Sequence, residues 1–255
     1  MPLCNWPENG IWLSDMSPQQ RDFRWVATPE APQRWQRRFW LTWLSLIDRL
    51  LLASDVQGFE RLPATGPVIL YYNHLHYLDP FALSTRFWRK RYFVPVAKAE
   101  LEHTFFVGQA LRANATIFIH RGEADLPALR GMLAILKAGY VLLIAPEGTR
   151  STTGSLIPAE KGLGLLVYKT NPVLMPVGMW GTTSFPSAYA RLRRPQIHYR
   201  FGIPYRIHLP PKMARKEAEE LITDYAMRRL AQCLPKTMRG VYAEPPPILP
   251  YVEEV

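Results

Sequence analysis

Apolar residues in the middle of the chain recur in short runs separated by helix-like stretches. Four runs predict buried strands: PVILYYN (67–73), ATIFIH (115–120), YVLLIAPEG (140–148) and PVLMPVGM (172–179). The stretch DLPALRGMLAILKAG (125–139) has apolar residues three and four apart and ends in glycine, which is typical of a helix. This alternation predicts an α/β fold, a single domain with a mostly parallel or mixed central sheet flanked by helices.

Composition divides the chain into four segments. We expect residues 1–31 to form an irregular N-terminal arm and residues 32–57 to form an amphipathic helix that precedes the domain. Residues 58–235 should hold the α/β domain with a charged C-terminal helix, and residues 236–255 a Pro-rich, mobile tail. With 255 residues, 48% of them hydrophobic, the chain can bury one sizeable core.

Segment 32–57 combines apolar residues at helical spacing with several arginines. The apolar set is Trp35, Phe39, Trp40, Trp43, Leu44, Ile47, Leu50 and Leu51, and the arginines are Arg34, Arg37, Arg38 and Arg49. One interpretation is an ordinary amphipathic helix packed on the domain. Tryptophan beside arginine also suits the membrane interface, and the high density of both favours a helix that lies on membrane lipids. No segment reaches the roughly 18 unbroken apolar residues of a transmembrane helix.

The net charge of +10 indicates an anionic partner: nucleic acid, acidic lipid or a phosphorylated substrate. The basic run RLRRPQIHYRF (191–201) is the best candidate for nucleic-acid contact, but no zinc-finger, RNA-binding or helix-turn-helix pattern accompanies it. We therefore expect no nucleic-acid partner. The two cysteines, Cys4 and Cys233, form neither a metal-ligand spacing nor a disulfide framework, which favours a reduced cytoplasmic setting and no metal site.

The stretch YYNHLHYLDP (71–80) places His74 and Asp79 five positions apart, directly after an apolar run. On a helix this offset turns the two side chains about 140° apart, and on a strand it separates them by roughly 16 Å. Only a turn brings them together. The chain predicts such a turn, since a buried strand precedes His74 and a helix with Pro80 at its first position follows. We expect the pair at the corner between strand and helix, where α/β proteins often keep their chemistry.

A second motif, APEGTRS (145–151), follows another strand candidate. It brings together the carboxylate of Glu147, the flexible backbone of Gly148, the hydroxyl of Thr149 and the guanidinium of Arg150. Arg150 could grip a phosphate with two parallel charge-assisted hydrogen bonds. The alternative is a loop in which Glu147 and Arg150 simply pair on the surface.

NHLHYLD followed by PEGTR resembles the glycerolipid acyltransferase family, which includes lysophosphatidic acid and glycerol-3-phosphate acyltransferases. Further blocks are similar to that family in order, over roughly residues 66–180: VAKAEL (96–101), IFIHRGE (117–123), PAEKGLGLL (158–166) and LMPVGM (174–179). Six ordered matches are more specific than any one alone. The block IFIHRGE departs from the usual family pattern. His120 stands directly before Arg121, where the family often has an acidic residue. The resemblance implies a fold like that of glycerol-3-phosphate acyltransferase.

The resemblance also implies a reaction, the transfer of a fatty acyl chain from a thioester to a lipid alcohol. His74 would act as general base on the acceptor hydroxyl, while Asp79 would fix the tautomer of the imidazole. The donor would be acyl-CoA or acyl carrier protein, with no further cofactor. The default acceptor is 1-acyl-glycerol-3-phosphate, which would give phosphatidic acid.

The remaining family positions would bind the acceptor. The expected substrate-binding residues are Arg121, Glu147, Gly148, Thr149, Arg150, Lys98 and Lys161. The arginines and lysines would contact a phosphate or other polar head, and Glu147 would bind a hydroxyl or orient an arginine. We expect the protein on the cytoplasmic side of a membrane, as a peripheral or monotopic protein.

Two alternatives stay open. The same mechanism could act on another acceptor, such as a glycolipid, an ornithine lipid or another lysolipid. A lipid-binding protein without catalysis is the second, although such a protein needs neither His74 nor Asp79. The basic run 191–201 would suit anionic lipid or an acidic acyl carrier protein equally well.

Overall fold

The predicted apolar runs form the centre of a mixed β-sheet. The computed structural model describes residues 22–77, 79–120, 125–184, 188 and 193–255. Its strands are β1 (Ala53–Gln57), β2 (Val68–Tyr72), β3 (Phe93–Lys98), β4 (Ile117–Ile119), β5 (Val141–Ile144), β6 (Val173–Trp180), β7 (Gln196–Phe201), β8 (Tyr205–Ile207) and β9 (Val252–Glu254). The α-helices of the described ranges are α1 (Trp35–Leu51), α2 (Asp79–Phe87), α3 (Phe105–Ala113), α4 (Leu126–Lys137), α5 (Gly162–Thr170) and α6 (Arg215–Gln232).

The strand order is β1-β7-β6-β2-β5-β3-β4, and β8 pairs with both β6 and β9. Strand β2 runs parallel to β5 and β6, whereas β6 is antiparallel to β7 and β8. This confirms the predicted α/β domain with a mixed central sheet. Since β2, β5 and β6 are parallel neighbours, their carboxyl ends lie at one edge of the sheet, where both sequence motifs begin.

Helices cover both faces of the sheet. Along β2, Ile69 and Tyr71 point into one core, which also contains apolar side chains of α4, α5 and α6. Val68, Leu70 and Tyr72 point into the other core, which contains side chains of α2. This alternation is the period-two pattern of a strand, and all five residues of β2 are buried. A strand covered on both faces holds its carboxyl end firmly, which matters for the residues that follow it.

Helix α1 is shorter than the predicted segment 32–57. It ends at Leu51, because Leu52 has an extended backbone and residues 53–57 pair with β7 as strand β1. The polar sequence of β1 gave no strand signal; its pairing is fixed by tertiary contacts. Helix α1 also packs on α2, where Asp48 and Arg86 form an ion pair of 2.6 Å. Within the described ranges, no helix is both long and apolar enough to cross a bilayer.

Both ends of the described chain pack on the domain. Residues 1–21 of the predicted arm lie outside the described residues, but Phe23 and Val26 are buried in the core. The tail is not the mobile segment that its proline content suggested. Strand β9 pairs with β8, and the tail segment 236–242 binds the loop after β5: Leu156 N donates to Met238 O at 2.9 Å. Pairing with β8 satisfies backbone N–H and C=O groups of the tail. Amino-acid composition alone does not indicate such a pairing.

Candidate active site

Asn73 joins the end of β2 to β6. Its side-chain amide donates to Met179 O at 2.8 Å and accepts from Met179 N at 2.7 Å. The side chain therefore continues the ladder of hydrogen bonds for one residue after β2 ends. Asn73 is buried, so both bonds are shielded from water. This contact fixes the backbone directly before His74, and no local pattern in the sequence indicates it.

His74 and Asp79 meet at the corner between β2 and α2, as predicted. His74 Nδ1 lies 3.0 Å from Asp79 Oδ2, and the same oxygen accepts from the backbone N–H groups of Leu75 and His76 at 2.6 and 2.7 Å. The Asp79 side chain is 1% exposed and that of His74 is 14% exposed. When Nδ1 donates its proton to the carboxylate, Nε2 keeps its lone pair. The imidazole is thus oriented by a buried acid and is itself partly exposed.

Glu147 lies behind His74 and binds its backbone. One carboxylate oxygen accepts from His74 N at 2.8 Å, and the other accepts from Ile157 N at 3.0 Å. Ser151 N donates to His74 O at 2.8 Å, so both peptide groups of His74 are held by the second motif. Burial raises the pKa of Glu147 to about 7, and the two backbone donors only partly offset it. The structure gives Glu147 a role that the sequence did not indicate, the positioning of His74.

The rest of the second motif turns towards the surface. Gly148 has a φ of 65°, and a Cβ atom there would lie 2.7 Å from Glu160 Cγ, so the turn requires glycine. Thr149 and Arg150 are exposed. The Arg150 guanidinium carbon lies 3.7 Å from the ring centroid of Tyr77, a cation–π contact that places it beside the first motif. Glu147 and Arg150 thus have different partners, unlike the surface pair considered above. Tyr77 had no recognisable signal in the sequence.

The other predicted binding residues are Lys98, Lys161 and Arg121. Lys98 ends β3 and pairs with Glu100 at 2.7 Å, with both side chains largely exposed. Lys161 is exposed directly before α5. Arg121 falls in residues 121–124, outside the described residues. Just before it, His120 N donates to Asp125 Oδ2 at 3.1 Å, and Asp125 also caps the start of α4.

The described part of the chain contains no group of three or more His, Cys, Asp or Glu side chains that could hold a metal ion. At this edge of the sheet His74 Nδ1 lies 3.0 Å from the Asp79 carboxylate. An oriented imidazole with a free lone pair can remove a proton from a hydroxyl group.

Comparison with known proteins adds family evidence. A family model described as Acyltransferase matches residues 53–180, which include both motifs. A 1-acyl-sn-glycerol-3-phosphate acyltransferase of Borreliella burgdorferi is 29% identical over 185 residues, covering 69% of this chain and 70% of that protein. A chloroplastic 1-acyl-sn-glycerol-3-phosphate acyltransferase of Brassica napus is 26% identical over 143 residues, covering 55% of this chain but only 41% of that protein.

A solved structure has a similar fold. The crystal structure of the 1-acyl-sn-glycerophosphate acyltransferase PlsC from Thermotoga maritima superimposes with a TM-score of 0.54 and 24% sequence identity. The superposition covers 74% of this chain and 79% of that chain. At this identity the likeness concerns the fold alone. The α/β architecture fits that comparison.

Proposed function

This chain belongs to the acyltransferase family, as its motifs indicated, and we propose that it moves a fatty acyl chain from an acyl thioester to the hydroxyl group of a lysophospholipid-like acceptor. The observation that carries the proposal is the hydrogen bond between His74 Nδ1 and the buried Asp79 carboxylate at the end of β2. An alcohol is a poor nucleophile until its proton is removed, and this imidazole is oriented to remove it.

In the proposed reaction His74 Nε2 takes the proton of the acceptor hydroxyl as its oxygen attacks the thioester carbonyl carbon. The carbon–sulfur bond then breaks, and the leaving thiolate takes the proton back from the imidazolium. The products are an ester and a free thiol, and Asp79 stabilises the positive imidazole between the two steps. The donor is acyl-CoA or acyl carrier protein, and the transfer needs no cofactor. General-base assistance of this kind contributes about 10²–10⁴ in rate.

We propose 1-acyl-glycerol-3-phosphate as the acceptor, with phosphatidic acid as the product. The names of the relatives from Borreliella burgdorferi and Brassica napus support this acceptor. Arg150 lies beside the first motif and would bind the phosphate as a two-pronged donor, with Arg121, Lys98 and Lys161 adding positive charge. Gly148 and Thr149 would bring the backbone and a hydroxyl close to the same headgroup.

Helix α1 would hold the protein on the cytoplasmic surface of a membrane. Trp35, Phe39, Trp43, Leu46 and Leu50 are between 52% and 66% exposed, and their spacing places them on one side of the helix. Leu41 and Asp48 face the domain instead and are buried. A row of exposed aromatic and aliphatic side chains supports an interfacial helix rather than one covered by the domain.

The test is acyl transfer by the purified full chain, with lipid products identified by mass spectrometry. Acceptors are lysophosphatidic acid, other lysophospholipids, a lyso-glycolipid and lyso-ornithine lipid, each with acyl-CoA and with acyl carrier protein. We expect transfer to lysophosphatidic acid to be fastest. Faster transfer to another acceptor would overturn the proposed substrate. Lipid binding without transfer to any acceptor would overturn the enzyme assignment in favour of a lipid-binding protein.

A further inference from the structure

A basic groove lies between the start of α1 and the turn from α2 to β3. It has a volume of about 550 Å³, within the usual range of roughly 300–1,000 Å³ for ligand pockets. Half of its ten lining residues are basic: Arg37, Arg38, Arg89, Lys90 and Arg91. All ten lining residues lie in the described ranges, and none of them is acidic. So many cations without a carboxylate indicate a site for an anion.

Arg37 is the buried member of this groove. The residue is only 2% exposed, and its guanidinium carbon lies 4.7 Å from the ring centroid of Tyr92 and 5.9 Å from that of Trp88. Nη1 donates to Pro32 O at 3.4 Å, while Nε and Nη2 have no hydrogen-bond partner among the described residues. Burial lowers the pKa of Arg37 to about 10, so it remains positively charged at neutral pH. A buried charge without an acidic partner is unfavourable unless an external anion compensates it.

The other basic side chains of the groove differ in availability. Arg91 is held by the backbone, since it donates to the carbonyl oxygens of Pro63 and Gly66. Arg38, Arg89 and Lys90 are exposed. The groove thus combines one buried charge with exposed basic side chains that can reach a ligand.

The groove lies beside the exposed apolar row of α1. Arg38 is next to Phe39 in the chain, and Trp35 precedes both on the same helix. We infer that the groove binds the phosphate headgroup of an anionic membrane phospholipid, whose acyl chains lie along the apolar row. The charge of the groove complements the phosphate, and the adjacent apolar row would contact the acyl chains. A free phosphate ion would match the charge of the groove but would make no use of the apolar row.

This lipid would be an anchor and not the acyl acceptor. Asp79 begins α2 and Trp88 follows its last residue, so the groove and the proposed catalytic pair lie at opposite ends of a nine-residue helix, about 13 Å apart along its axis. The inference rests on the membrane-surface part of the proposed function, but it can be measured without any acyl transfer.

The test is binding of the full chain to sedimented vesicles, either phosphatidylcholine alone or phosphatidylcholine with phosphatidylglycerol. The variant Arg38→Gln/Arg89→Gln removes two exposed charges of the groove. We expect it to bind the anionic vesicles roughly 25-fold more weakly, since each basic side chain near such a surface contributes about fivefold. The matched control Lys212→Gln/Lys216→Gln removes two exposed charges, one just before α6 and one in its first turn, and neither residue lines the groove. An equal loss of binding to anionic vesicles in both variants, or no loss in either, would overturn the proposal that the lipid binds in this groove.

A second variant tests the buried charge itself. Arg37→Met removes a charge without an acidic partner, so we expect weaker binding to anionic vesicles with no fall in unfolding temperature. A marked fall in unfolding temperature with unchanged vesicle binding would show that Arg37 serves the fold alone. Inorganic phosphate added at constant ionic strength should leave vesicle binding unchanged; if it released the protein, the ligand would be a free anion. Failure of acyl transfer with intact vesicle binding would overturn the proposed function and not this site.

Discussion

Replacing Glu147 by glutamine tests the buried carboxylate that positions His74. Glu147 accepts one hydrogen bond from His74 N and one from Ile157 N, each with a different oxygen. An amide has a single acceptor oxygen, so in Glu147→Gln one of these two N–H groups faces an NH₂ group instead. The substitution keeps the shape of the side chain and removes its charge. It should therefore change both the pH dependence of stability and the placement of the imidazole.

The pH effect follows from the raised pKa. Burial raises the pKa of Glu147 from 4.5 to about 7, so the folded protein binds this proton more tightly than the unfolded chain. The free energy of unfolding should then fall as the pH rises from about 4.5 to about 7, by about 3 kcal/mol in total from this group. Glu147→Gln cannot ionise, so this part of the pH dependence should be absent.

The assay is urea unfolding at pH 5, 6, 7 and 8 for the wild type, Glu147→Gln and the control Glu217→Gln, which removes an exposed carboxylate of α6. All other ionisable groups are the same in the wild type and in Glu147→Gln. The difference between their unfolding free energies at each pH therefore isolates the contribution of Glu147. We also expect kcat to fall about 10- to 100-fold in Glu147→Gln with little change in KM, because a small displacement of the base is costly. Wild-type and Glu147→Gln stabilities that run parallel across this pH range would refute the reasoning.

Three further substitutions probe neighbouring contacts. Asn73→Ala leaves the backbone groups of Met179 unpaired in the core and should lower the free energy of unfolding by about 2–4 kcal/mol in urea titrations; a loss below about 1 kcal/mol would contradict the bridging role. Gly148→Ala forces a side chain into a left-handed turn and should destabilise by about 1–2 kcal/mol in the same assay, whereas unchanged stability would show that the turn relaxes. Tyr77→Leu removes the ring under Arg150 and should raise KM for lysophosphatidic acid about two- to fivefold with kcat kept, so a fall in kcat alone would argue against this role.

The corner that holds His74 and Asp79 could be predicted because its signals are local. A buried apolar strand, a turn and a helix beginning around Pro80 are all visible within a short stretch of sequence, and α2 indeed begins at Asp79. The strand candidates around it were also correct, since β2, β4, β5 and β6 are apolar runs. Short-range pattern was sufficient for these four strands, whereas β3 and β7, which also lie inside the sheet, were not among the strand candidates.

Other features depend on contacts between distant parts of the chain. Strand β1 is polar and pairs with β7 more than a hundred residues later, so residues 53–57 were assigned to the preceding helix. The tail was expected to be loose because of its prolines, but its Tyr242 hydroxyl accepts from Ala159 N at 3.0 Å. The positioning role of Glu147 likewise arises from backbone groups far apart in sequence. None of these long-range contacts produces a periodic pattern of hydrophobic residues in the sequence.

The most direct test of the central claim is the acyl-transfer rate of His74→Ala with lysophosphatidic acid and an acyl thioester. The control is His208→Ala, since His208 also pairs with a carboxylate, Glu253 at 2.9 Å, but on the exposed strand edge. If His74 is the general base, kcat/KM falls by about 10²–10⁴ in His74→Ala and stays at the wild-type value in the control, with both variants equally folded. A His74→Ala protein that transfers acyl chains at the wild-type rate would contradict the account.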